Sequence, residues 1–73
     1  MKFTVTDVFG TVLGTIDVTE DVYLDDDALL SVLVDAEYID EADPCEVTED
    51  VDNRVDIIEW ESGNHLVSLV LIQ

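Results

Sequence analysis

The sequence predicts a small α+β domain, in which a mixed sheet of four to five strands carries one helix. An N-terminal hairpin comes first, then the helix, then the remaining strands. Three observations predict this. Apolar and polar residues alternate with a period of two near both ends of the chain. After Asp25 the period changes, and Leu29, Val32, Leu33 and Ala36 recur at i, i+3, i+4 and i+7, one face of a helix. Seventy-three residues, 48% of them hydrophobic, suffice for one modest core, so residues 1–73 form a single domain.

Met1, Phe3 and Val5 alternate with Lys2, Thr4 and Thr6, as in a half-buried strand. Asp7-Val8-Phe9-Gly10 supplies a turn, with Gly10 free to take positive φ. Val12, Gly14, Ile16 and Val18 then share one face of a second strand, in which Gly14 marks a bulge. The helix is expected from Asp25 to about Ile39, with Asp25, Asp26 and Asp27 at its start. One capping aspartate contributes about 1 kcal/mol, and three exceed what capping needs. An acidic connection containing Pro44 follows, with a short strand at Glu46-Val47-Thr48. Residues 55–60 and 66–72 read as further strands, joined by a turn at Ser62-Gly63-Asn64.

This order resembles the ubiquitin-like β-grasp fold, through MKFTVTDVFGTVLGTIDV at the start and HLVSLVLIQ at the end. Conjugated and sulfur-carrying members of that family end in Gly-Gly, whereas this sequence ends Leu71-Ile72-Gln73. Iron–sulfur members use four cysteines, and Cys45 is the only cysteine here. The resemblance therefore implies a binding scaffold and no cofactor. The last strand is apolar on both parities, which leaves two readings: a central strand with its far face covered by the connecting loop, or a second apolar patch used for a homodimer or a partner.

Charge is the feature that points towards function. Nineteen carboxylates face Lys2 and Arg54 alone, for a formal charge of −17. Six lie in residues 17–27, nine in 35–52, and only Asp7 precedes residue 17. Repulsion on this scale opposes compaction, and it disfavours direct contact with nucleic acid or an anionic membrane. No signal-peptide pattern opens the sequence and no apolar run approaches membrane-spanning length, so a cytoplasmic protein is the expectation.

Catalytic and metal-binding patterns fail on inspection. The stretch from Asp50 to Val55 places Arg54 and Val55 where a calcium loop needs an oxygen ligand and a glycine. The single histidine, His65, excludes a histidine zinc triad, and its closeness to Ser62 does not make a nucleophile and base. Cys45 sits among acids that disfavour its thiolate. No enzyme activity is expected.

An acidic face can instead imitate duplex phosphates, which carry one charge per roughly 1.7 Å of axis. In charge and size the chain resembles virus-encoded DNA-mimic inhibitors, among them anti-restriction proteins, anti-CRISPR proteins and inhibitors of uracil-DNA glycosylase. That resemblance implies a basic partner, the nucleic-acid groove of a DNA- or RNA-processing enzyme. Asp25, Asp26, Asp27, Asp35, Glu37, Asp40, Glu41 and Asp43 would stand for phosphates, with Tyr38 and Trp60 as apolar anchors. For Trp60 the plainer reading is a core residue. The competing class is salt adaptation, in which an acid-rich, lysine-poor surface serves solubility in high salt and the chain is a small structural or interaction module.

Overall fold

The computed structural model describes residues 1–41, 44–48 and 51–72. Strand β1 (Lys2–Thr6) turns its Phe3 and Val5 inward, as their alternation predicts. In the turn that follows, Asp7 Oδ1 accepts from the N–H groups of both Phe9 and Thr11 at 2.9 Å. Gly10 stands at φ +83, where a side chain would be strained. The one acidic residue of the hairpin turn is therefore a turn-former.

Strand β2 (Val12–Asp17) pairs antiparallel with β1, but the register slips at Leu13. Val12 lies opposite Thr6 and is 62% exposed, so it does not share the inward face of Gly14, Ile16 and Val18. The bulge expected near Gly14 accounts for this correction, because one extra residue reverses the parity beyond it. A Cβ on Gly14 would collide with the Tyr38 hydroxyl, so glycine permits that close approach.

Two helices form where one was expected. Thr19 caps α1 (Glu20–Tyr23), with its Oγ1 accepting from the Val22 N–H at 3.4 Å. Asp25 caps α2 (Asp26–Asp35), with its Oδ1 accepting from the Ala28 N–H at 3.2 Å. Helix α2 stops short of Ile39 because Glu37 adopts φ +65. The Tyr38 N–H then donates to Leu33 O and the Glu37 N–H to Val34 O, the paired bonds of a Schellman turn. That turn swings Tyr38 back onto the core.

Strands β3 (Cys45–Val47), β4 (Arg54–Glu59) and β5 (His65–Leu71) complete the sheet in the order β2-β1-β5-β4-β3. Between β3 and β4, Val51 and Arg54 exchange backbone bonds around Asp52 and Asn53, both at positive φ. This is a two-residue hairpin turn of the kind that favours Asp and Asn. The sheet is antiparallel throughout rather than mixed. Hairpin turns oblige the β1–β2, β3–β4 and β4–β5 pairs to be antiparallel. Only the β1–β5 pairing was open, and the helical crossover from one sheet edge to the other sets it antiparallel as well.

One sheet face packs against α2. Phe3, Val5, Ile16, Val55, Ile57, Val67 and Leu69 meet Leu29 and Leu33, and the Tyr23 ring stacks on Phe3 at 5.1 Å. The opposite face bears no helix. Because β5 lies between β1 and β4, both of its edges are paired; Val70 is its exposed apolar residue, and Ile72, just past its end, is exposed as well.

Candidate functional site

The carboxylates expected to form a face divide between the two ends of α2. Asp25, Asp26 and Asp27 occupy its cap and first turn, all exposed. Asp35 closes its last turn, and Glu37, Asp40 and Glu41 follow, also exposed. Asp43 lies outside the described residues. Ten helical residues rise about 15 Å, roughly the axial length of four to five base pairs. The residues between, from Ala28 to Val34, carry no charge, so the array has two poles rather than a continuous row.

The two poles differ energetically. At the N-terminus the partial positive charge of the helix favours aspartate, whereas at the C-terminus Asp35 and Glu37 add to partial negative charge. No basic residue stands in that last turn. Two adjoining clefts of about 320 and 520 Å³ open beside this end and share Val34, Ile39, Asp40 and Glu41. Leu30 and Cys45 line one of them, and Tyr38 and Leu66 the other.

Tyr38 is half-buried, with its hydroxyl over Gly14, so much of its ring is spent on the fold. Trp60 is 57% exposed and stands past the end of β4 between Glu59 and Glu61. The core reading of Trp60 is thus overturned. The strand ends at Glu59, and Trp60 opens the turn that follows, its N–H donating to Pro44 O just before β3 and its indole exposed.

Sequence reasoning missed a polar cluster on the open sheet face. Arg54, Asp56, His65 and Ser68 come from β4 and β5, where Asp56 lies opposite Ser68. Ser68 is 1% exposed, and its hydroxyl donates to Asp56 Oδ1 at 2.6 Å. Arg54 Nε donates to the same oxygen at 3.0 Å, and its Nη2 to Ser68 Oγ at 3.2 Å. His65 Nε2 lies 2.7 Å from Ser68 Oγ. Burial pushes the Asp56 carboxyl up, but the Ser68 hydrogen bond, the Arg54 hydrogen bond and charge, and the His65 charge together hold it below its ordinary value.

This cluster contains serine, histidine and aspartate without the order of a hydrolytic triad. The single Ser68 proton goes to Asp56, so His65 Nε2 must carry hydrogen and donate to the hydroxyl. A general base needs the reverse, with the carboxylate on the other ring nitrogen. Here Nδ1 is buried and has no hydrogen-bond partner among the described residues. The signal that could have found the cluster was weak. Arg54 and Asp56 share a parity, but a second register slip, between Ile57 and Ile58, hides the alignment of His65 and Ser68 with them.

Comparison with known proteins finds no match, whether by family model, by curated sequence or by solved structure. Among the described residues no helix is long and apolar enough to cross a membrane.

Proposed function

We propose that this chain is a non-enzymatic binding protein whose helical layer stands in for nucleic-acid phosphates. It occupies the basic groove of a DNA- or RNA-processing enzyme and excludes the substrate, in the manner of the virus-encoded DNA-mimic inhibitors. The observation that carries this reading is the segregation of sign. Residues 19–41, which hold both helices, contain nine carboxylates and no lysine or arginine. Lys2 and Arg54 both belong to strands of the sheet. An array of one sign on one layer attracts a basic surface over several ångströms and speeds encounter. The β-grasp-like element order serves as a rigid platform for that layer, and the site of action is the cytoplasm of the cell that holds the target.

Exposed Trp60 supports an apolar anchor next to the charge, since buried aromatics dominate many interfaces. The test is capture from a cell extract on the immobilised chain at moderate salt. The expected result is retention of a DNA- or RNA-processing enzyme, displaced by heparin or duplex DNA. A chain carrying Asp35→Asn, Glu37→Gln, Asp40→Asn and Glu41→Gln should hold it more weakly, with a shallower dependence on salt. Retention that survives both polyanion and these substitutions would sink the proposal.

Salt adaptation remains the second reading, favoured by acid outside the helical layer: Glu46, Asp52, Glu59 and Glu61 stand on or beside β3 and β4. On that reading the carboxylates hold hydrated cations and the partner is unrelated to nucleic acid.

A further inference from the structure

The two edges of the sheet are protected very differently. Strand β3 is three residues long, follows Pro44 and carries Glu46. Shortness, proline and charge are the usual devices that stop an edge from pairing with another chain. Strand β2 forms the other edge, is six residues long, and contains no proline and one charged residue, Asp17. Its bulge lies at the Leu13 end only, so the backbone from Gly14 to Asp17 stays in regular register with β1.

The charge around β2 is also exceptional for this molecule. Asp17 pairs across the strands with Lys2 and lies 3.5 Å from the Met1 ammonium. Lys2 and that ammonium both stand at Asp17, and residues 1–17 carry a formal charge of only −1 in a chain of −17. Exposed apolar residues gather on the same hairpin: Val8, Phe9, Val12 and Leu13, with Phe9 89% exposed at the turn. A partner of strong positive charge gains little there. A second, strongly negative copy meets less repulsion at this edge than on the acid-bearing helical layer or beside β3.

We infer that β2 is a self-association edge, on which a second copy of this chain adds its own β2 antiparallel across a twofold axis. The pairing satisfies the open backbone groups of both edges and covers Val12 and Leu13. It yields a continuous ten-stranded sheet about 45 Å across, with both helical layers on one side. The acidic array is then doubled in length on a single face. This inference does not rest on the proposed function.

Sedimentation equilibrium of the full chain at moderate salt, from about 1 μM to about 1 mM, tests it. A monomer–dimer equilibrium is expected, and it tightens as added salt screens the two copies. Leu13→Glu and, separately, Thr15→Glu place like charges near one another across the axis, and each should weaken the dimer at least about tenfold. Circular dichroism confirms that each variant folds. Amide hydrogen exchange supplies an independent reading without substitution: protection in β2 should rise with protein concentration while that of β3 does not. A chain that stays monomeric throughout overturns the inference. So does a dimer that both variants leave intact, or one whose added protection falls on β3 or on the open sheet face.

Discussion

Asp56 joins the arginine, the histidine and a buried serine in one contact set. Its folded-state pKa lies below the ordinary value of 3.8, so the ionised form is favoured in the folded chain. The stability this contributes is fully present above the unfolded value and is lost as pH falls through the folded one. The other carboxylates complicate a simple acid titration, because their protonation relieves repulsion over the same range. The difference between the parent chain and Asp56→Asn isolates the term. The parent's advantage in urea unfolding should shrink as pH falls below about 4. An advantage independent of pH would show that Asp56 acts through shape and hydrogen bonding alone. Near neutrality Asp56→Asn should still destabilise, because the Ser68 hydroxyl and Arg54 lose a charged acceptor.

At the scale of elements, α2 separates two uses of acid. Asp25 makes a capping bond, and replacing it with alanine should cost about 1 kcal/mol in thermal or urea unfolding. Asp35 sits at the negative end of the same helix with no basic neighbour in the last turn. Asp35→Asn should therefore leave stability unchanged or raise it by about 0.3–1 kcal/mol. If Asp35→Asn instead destabilises like Asp25→Ala, acid at this end is structural and the phosphate-like role loses its support. The helix start was legible because an aspartate cap precedes an apolar 3.6 period. Its stop was not, since the left-handed position is filled by Glu37 where a glycine would have signalled it. Thr19 caps a four-residue helix, which offers too few apolar positions to display a period.

For the whole molecule, the balance between a net charge of −17 and one small core governs folding. Screening shortens from roughly 8 Å at 0.15 M salt to about 3 Å at 1 M, so added salt should raise the unfolding midpoint steadily. A cooperative transition is expected already at about 0.15 M, because the described carboxylates of the helical layer are exposed and solvated. A chain that folds only above about 1 M salt would favour salt adaptation over the proposed inhibitor.

The sequence by itself determined the α+β class, the two hairpins at its ends, the inward residues of β1, the capped start of α2 and the concentration of acid in the middle of the chain. Those features rest on local periodicity, turn chemistry and composition, which neighbouring residues express without help. Only the tertiary structure decided the rest. It set the antiparallel β1–β5 pairing, turned Val12 outward and brought Arg54, Asp56, His65 and Ser68 together. It also left β2 as an open edge of little charge. Each of these depends on which distant strands meet and in what register. A slip of one residue reverses every side chain beyond it, and no local pattern records that slip.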